Sequence, residues 1–331
     1  MVDVFPLPLP ATVEVVEVVL RDGLQTVPEV MPLRDKLRVV ELMLEAGVRR
    51  IEVTSFAHPR VLPQFADAER LLAALPRDPS VTYRGLVPNL RGAQRAVDAG
   101  VDELVFLVST SDEANRGNQG RGTDELLNEL AAAVDLSRSG AKVTAGVAAA
   151  FFSVPGGRVL PSTIDGLVDG VVAAGAQSLY LADSLGMADP LQVYEATRRV
   201  KRRHPSVDVG LHLHVRNGFV MANVFAGLLA GASWFESAAG GLGGDAWFPG
   251  HPDVLGNLPT EDLLAFMSRL RVESGVSPSA YAAVTVAVAD ATGRASLDHV
   301  SRGGAEHELA ALTWESMLAG FPGLTTARPR S

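Results

Sequence analysis

The sequence predicts a (β/α)8 barrel, the TIM-barrel form of the α/β class, with a C-terminal helical extension. Three observations lead there. Eight short runs rich in β-branched residues alternate with seven longer segments of helical periodicity, the order that gives a parallel sheet with crossover helices. Ala-Gly recurs where a helix ends and a strand begins, at Ala46–Gly47, Ala99–Gly100, Ala174–Gly175 and Ala230–Gly231, as expected of a repeated βα unit. No strand is followed by the Gly-x-Gly-x-x-Gly loop of a doubly wound dinucleotide fold, so closure into a barrel is the better reading.

The strands are expected at Val13–Leu20, Ile51–Thr54, Thr82–Leu86, Glu103–Val108, Val143–Ala149, Ser178–Ala182, Val207–His212 and Ser233–Glu236. The helices between them are expected at Leu33–Ala46, Ala66–Leu75, Leu90–Ala99, Thr123–Ser139, Ser162–Ala174, Pro190–His204 and Val220–Ala230. The first helix shows the pattern plainly, with Leu37, Val40, Leu42 and Leu44 set among charged residues. Residues 1–270 then form the barrel, and 271–331 form accessory helices packed on it, with Gly323–Ser331 frayed.

Composition narrows the chemistry. With 47% hydrophobic and 20% charged residues, the 331-residue chain suits a globular protein with a sizeable core. A formal net charge of −9 gives no electrostatic reason to seek nucleic acid or an anionic membrane. An anionic substrate must therefore be held by a local arginine or a metal. There are no cysteines, which excludes disulfides, thiolate metal sites and a Cys nucleophile or acid. Met1–Pro10 has no basic segment followed by an apolar run, and no apolar stretch reaches transmembrane length, so a cytoplasmic enzyme is the expectation.

In such a barrel the C-terminal strand ends line the active site. The first strand ends in Arg21-Asp22-Gly23-Leu24-Gln25, a charged pair that apolar packing explains poorly. The second carries Glu52 between Ile51 and Val53, then Thr54 and Ser55. The sixth ends at Asp183-Ser184 and the seventh at His212-Leu213-His214. Two residues apart on a strand means one face, so both imidazoles point the same way. Beyond the eighth strand come Gly240–Gly244, Asp245 and Asn257.

Asp22, His212 and His214 form a two-imidazole, one-carboxylate metal set, to which Asn257 could add a carbonyl oxygen. Nitrogen and oxygen ligands without sulfur suit Mg²⁺ or Mn²⁺. Fe(II) is also compatible, and Zn²⁺ is less favoured. Taken singly, each feature has a structural explanation: a strand His-x-His, a salt bridge at Arg21-Asp22, a paired core carboxylate at Glu52, a flexible glycine loop. Their coincidence at one barrel face argues for a site.

These motifs together resemble the 3-hydroxy-3-methylglutaryl-CoA lyase branch of the DRE-TIM metallolyases, the pyruvate carboxyltransferase-like superfamily. The matching phrases run in family order: RDGLQ at Arg21–Gln25, IEVTSF at Ile51–Phe56, LPQFADAE at Leu62–Glu69, PNLRG at Pro88–Gly92, DSLG at Asp183–Gly186, HLH at His212–His214, GGLGG at Gly240–Gly244 and GNLPTED at Gly256–Asp262. Gln25 favours the lyases over the related synthases. The resemblance implies a homodimeric carbon–carbon lyase acting on an acyl-CoA or carrier-protein thioester. It implies metal ligation by Asp22, His212, His214 and Asn257, with Arg21 facing the thioester carbonyl and Glu52 orienting the catalytic groups. Gln25, Ser55, Asn89, Asp183 and Ser184 would lie at the substrate. His212 is the candidate base, with Asp22 as its rival.

The chain departs from the family pattern in three places. A Cys follows GGLGG in the lyases, where this chain has Asp245: either Asp245 or His251 replaces the thiol, or the protein runs a related condensation or cleaves a different hydroxy-acyl substrate, or the proton-transfer step is lost and the site is feeble. Val215-Arg216-Asn217 replaces the usual polar stretch after the second histidine. Phe151–Gly157 makes a more apolar segment after strand five, while Asp112, Arg116 and Asn118 fall in a loop near the substrate of relatives. An acyltransferase that condenses acetyl-CoA with a 2-oxo acid is the second reading, and a non-catalytic metal-binding scaffold the third.

Overall fold

The structure, a computed structural model, describes residues 8–137, 140–244, 255–304 and 306–319. The strands are β1 (Glu14–Glu17), β2 (Arg50–Ser55), β3 (Thr82–Leu86), β4 (Glu103–Ser109), β5 (Lys142–Ala148), β6 (Phe152–Ser153), β7 (Gly157–Arg158), β8 (Ser178–Asp183), β9 (Asp208–Leu213) and β10 (Trp234–Ser237). Among the described residues, eight of them close a parallel barrel in the order β1-β2-β3-β4-β5-β8-β9-β10, with Glu14 of β1 level with Trp234 of β10 at the seam. The short β6 and β7 form a separate antiparallel hairpin.

Helices α1 (Leu33–Ala46), α2 (Ala68–Ala74), α3 (Leu90–Asp98), α4 (Asp112–Gln119), α5 (Thr123–Ser137), α6 (Pro161–Ala173), α7 (Pro190–Arg203) and α8 (Val220–Ala230) connect the strands. Local chemistry sets their ends. At α7, Asp189 accepts the Gln192 N–H at 2.8 Å and Gln192 accepts the Asp189 N–H at 3.2 Å, a capping box with Pro190 in the first turn. Lys201, Arg202 and Arg203 complement the dipole at its other end. The buried stripe of Val193, Ala196 and Val200 docks α7 on the sheet, each fully buried valine contributing roughly 1.5–3 kcal/mol. The recurrent Ala-Gly has a backbone reason: Gly47, Gly100, Gly175 and Gly231 have φ of 100°, 77°, 96° and 91°, the left-handed geometry that ends a helix and turns the chain into a strand.

Three expectations need correction, and one segment gains a structure that the sequence reading does not assign. The first strand stops at Glu17; Val19–Gly23 is a π-helical turn, in which the Gly23 N–H reaches back to Val18 O at 3.3 Å. Apolar residues continue through Leu20 because the turn is also buried, so composition alone could not locate the break. The expected Ala66–Leu75 helix divides into a 3-10 turn at Pro63–Phe65 and α2. Asp112, Arg116 and Asn118 lie on α4 and not in a loop; the Ser111 hydroxyl caps it by accepting the Ala114 N–H at 3.2 Å. The apolar segment after β5 contains the β6–β7 hairpin.

The C-terminal helices are α9 (Thr260–Leu270), α10 (Pro278–Thr292), α11 (His299–Gly303), α12 (Glu306–Ala310) and α13 (Trp314–Ala319). The segment between α9 and α10 is joined to the barrel wall: the Val13 N–H donates to Glu273 O and the Glu273 N–H donates to Ala11 O, both at 2.9 Å. α10 buries Tyr281, Val284 and Val288 and packs along α1. No helix of the described residues is long and apolar enough to cross a membrane.

Candidate active site

The π-helical turn aims Arg21 and Asp22 across the rim of the barrel, a local geometry frequent at functional sites. Arg21 donates through Nε to Glu52 Oε1 and through Nη1 to Asp22 Oδ1, the latter at 2.6 Å. Asp22 Oδ1 also accepts from Gln25 Nε2 at 2.8 Å, and Oδ2 accepts from Asn257 Nδ2 at 2.7 Å. Gly243, at φ 130°, lets the backbone pass beside this pair: a Cβ there would lie 2.1 Å from Asn257 Nδ2 and 3.2 Å from Asp22 Oδ2.

The histidines complete the set. Asp22, His212 and His214 each present a ligand atom within 4.8 Å of the others. His212 Nδ1 lies 2.8 Å from Glu236 Oε2, and His214 Nδ1 lies 2.9 Å from Leu255 O. Facing acceptors, both Nδ1 atoms carry the proton and donate it. The two Nε2 atoms then face each other 3.0 Å apart, as two lone pairs around a bound cation or, with none bound, sharing the proton that His212 keeps because, against its burial, Glu236 and Asp22 prevail. Two such lone pairs repel unless a positive species sits with them. Asn257 Oδ1, buried at the same place, has no hydrogen-bond partner among the described residues. Two imidazole nitrogens and a carboxylate, beside an Asn257 whose amide oxygen is orphaned, fit a divalent cation, with carboxylate and carbonyl groups orienting the imidazoles from behind.

The electrostatics agree. Burial, reinforced by the His212 charge, pushes His214 down to about 4, so it is a neutral ligand at neutral pH. Burial would raise the Asp22 carboxyl, but Arg21, His212 and His214 outweigh it and hold Asp22 below the ordinary carboxylate range. Burial opposes ionisation of Glu236 as well, yet Arg84 and His212 prevail and bring it to about 2.

Of the residues singled out in the sequence, the structure gathers Arg21, Asp22, Gln25, Glu52, His212, His214 and Asn257. Four others hold local backbone at the barrel rim. Ser55 Oγ accepts the Ala57 N–H at 3.2 Å, and Asn89 caps α3 by accepting the Gly92 N–H at 2.9 Å. Asp183 accepts the Met187 and Ala188 N–H groups at 2.9 and 3.1 Å, and burial raises it to about 6. Ser184 Oγ accepts the N–H of Ala149 at 2.9 Å, and Ala149 itself sits in the left-handed region at φ 51°. Asp245 and His251 lie outside the described residues. Sequence reasoning missed Glu236 and Arg84. Each is a lone charge in an apolar strand, as Glu52 is, and that signal was available for all three.

A family model described as HMGL-like matches residues 12–288, which reaches past residue 270 into α10. The (R)-citramalyl-CoA lyase of Chloroflexus aurantiacus is 36% identical over 284 residues, covering 82% of this chain and 89% of that protein. A hydroxymethylglutaryl-CoA lyase of Bacillus subtilis is 31% identical, covering 82% and 90%. Among solved structures, an HMG-CoA lyase from Acinetobacter baumannii, in complex with coenzyme A and 3-methylmalate, superposes with a TM-score of 0.85 at 28% identity, covering 92% of this chain and 98% of that one. The chain belongs to the HMGL-like family, and it is a carbon–carbon lyase.

Proposed function

We propose that this enzyme cleaves a 3-hydroxy-acyl-CoA thioester of the hydroxymethylglutaryl-CoA or citramalyl-CoA type by retro-aldol (retro-Claisen) chemistry, with Mg²⁺ or Mn²⁺ at Asp22, His212, His214 and Asn257. The observation that carries this reading is the convergence of the His212 and His214 Nε2 atoms with the Asp22 carboxylate that Arg21 touches, their ligand atoms all within 4.8 Å of one another. Both named thioesters have a tertiary hydroxyl on carbon 3, so one cleavage chemistry serves either.

When bound, the cation orients the substrate oxygens and lowers the pKa of the hydroxyl. His212, ligating through Nε2 and donating Nδ1–H to Glu236, keeps no lone pair for general-base work. Asp22 is equally engaged, its Oδ1 by Arg21 and Gln25 and its Oδ2 by Asn257, so either His212 or Asp22 accepts the hydroxyl proton only on giving up a present contact. As the bond beside the thioester breaks, charge moves onto the thioester oxygen. Arg21, held by Glu52 and Asp22, supplies a fixed guanidinium to meet that charge. The enolate carbon then takes a proton. Asp245, directly after Gly240–Gly244, is assigned as the donor, with His251 as second candidate. Ser55, Asn89, Asp183 and Ser184 would shape the substrate-facing wall through the turns that they hold. Homodimeric assembly in the cytoplasm accompanies this reading.

Purified protein given each thioester with Mg²⁺ or Mn²⁺ should release acetyl-CoA from at least one. No release from either, together with thiol release from acetyl-CoA and a 2-oxo acid, would replace cleavage by the condensing reaction. In an active preparation Asp245→Ala should slow turnover by about 10²–10⁴-fold, the usual worth of a positioned proton donor. An unaffected rate would move that role to His251.

A further inference from the structure

Inside the barrel, behind the metal set, lies a cation that none of the roles above uses. Arg84 on β3 is fully buried. By strand register it is level with Glu52 on β2 and Glu103 on β4. Its Nη2 lies 2.7 Å from Glu236 Oε1 and 3.9 Å from Glu52 Oε2, while Nε lies 3.2 Å from Glu103 Oε1. The guanidinium also rests over the Trp234 ring, 5.3 Å from its centroid.

The division of oxygens is informative. Glu236 turns Oε2 to His212 and leaves Oε1 to Arg84; Glu52 turns Oε1 to Arg21 and leaves Oε2 to Arg84. One guanidinium thus backs both carboxylates, one behind the histidine of the cation site and the other behind the arginine that meets the enolate charge. Among the described residues Glu236 has no ion-pair partner besides Arg84 and His212. Neither the Arg84 contact to Glu236 nor that to Glu52 has hydrogen-bond alignment. The attraction is therefore ionic, and it depends on the charge being where it is.

We infer that Arg84 is a positioning residue for both halves of the reaction: it fixes Glu236 so that His212 keeps Nε2 toward the cation site, and fixes Glu52 so that Arg21 keeps its aim. This rests on Asp22, His212 and His214 being that cation site. Without Arg84, Arg21 alone would act on both carboxyl groups, and the repulsion between Glu52 and Glu236 would lose the cation that lies between them. The groups that orient a ligating histidine are worth about 10–100-fold in metal affinity.

The test is direct Mn²⁺ binding to the purified protein, read by calorimetry without substrate. Arg84→Met should remain folded by circular dichroism and bind Mn²⁺ about 10–100-fold more weakly. In turnover it should lower kcat more than it changes KM. Arg84→Lys should recover part of the affinity, since an ammonium reaches one carboxylate better than two. Arg50→Met, which removes a cation deeper in the barrel, should leave Mn²⁺ affinity as it was. If Arg84→Met unfolds, Glu236→Gln, which keeps the shape and deletes the charge, carries the same expectation of weaker Mn²⁺ binding. Folded Arg84→Met with wild-type Mn²⁺ affinity would overturn the inference and leave Arg84 a structural ion. Failure of the wild-type protein itself to bind Mn²⁺ would instead overturn the cation site.

Discussion

Two buried polar clusters lie at different depths in this barrel, and they differ in how completely they are satisfied. Toward the N-terminal end, Arg50 donates to Glu103 through Nε at 2.9 Å and Nη2 at 2.7 Å, and to Glu14 at 3.0 Å; the Thr144 hydroxyl donates to Glu103 at 2.5 Å. That cluster is complete. At the C-terminal rim, Asn257 Oδ1 is orphaned and the two imidazole Nε2 atoms have only each other, 3.0 Å apart. Breaking a satisfied buried pair strands a charge, whereas a buried acceptor left without a partner marks a place for a ligand.

The largest expected effect breaks the open cluster. Asp22→Ala or His214→Ala should each abolish divalent-cation binding and with it turnover, measured by metal content after dialysis. Wild-type metal content in either variant would remove the basis for treating the rim as a cation site. Next, Arg21→Met should lower kcat by about 10²–10³-fold, the range for a lost stabiliser of developing negative charge, with bound metal retained. Metal lost along with rate would show that Arg21 serves the cation more than the enolate.

The closed cluster should respond in stability instead. Arg50→Met takes two charged hydrogen bonds from buried Glu103, which keeps Arg84 and Thr144, and should destabilise the fold by roughly 1.5–3 kcal/mol in urea denaturation. A change in Mn²⁺ affinity of the folded variant would erase the contrast between the two clusters.

The smallest effect concerns pH. Glu261 accepts the Gly240 N–H at 2.8 Å and a hydrogen bond from Thr285, and burial raises it from 4.5 to about 8. A carboxyl raised by folding costs no stability below 4.5 and costs progressively more as pH climbs toward 8. Glu261→Gln, which can still accept both hydrogen bonds, should therefore stabilise the protein by about 1–2 kcal/mol at pH 9 and by little at pH 5, within the span common for removing an unfavourable buried charge. Equal shifts at both pH values would show that shape, not charge, sets the effect. Glu17, raised by burial to about 7 and bonded to Tyr281 and Thr260, adds to the same loss of stability at rising pH.

Much of the architecture was legible because its signals are local. The 2-residue strand alternation placed both imidazoles of His212-Leu213-His214 on one face, and the Ala-Gly junctions marked helix ends whose left-handed φ only glycine adopts easily. Arg21-Asp22 stood out as charge directly after an apolar run. The same logic failed at Val18–Leu20, where strand and π-helical turn are equally buried and so equally apolar. Nor does it show how Ser55, Asn89 and Ser184 are held, since their oxygens accept nearby N–H groups that sequence spacing does not reveal.

By itself, then, the sequence determined the barrel and picked out the charged and imidazole residues that meet at its rim, since each depends on periodicity or on a charge displaced into an apolar run. Only the tertiary structure decided what those charges do. Glu236 behind His212, Glu52 behind Arg21 and Arg84 behind both come from β10, β2 and β3, which meet only when the barrel closes. Hydrogen bonds and ion pairs act over a few ångströms of space, and separation along the chain carries no record of them.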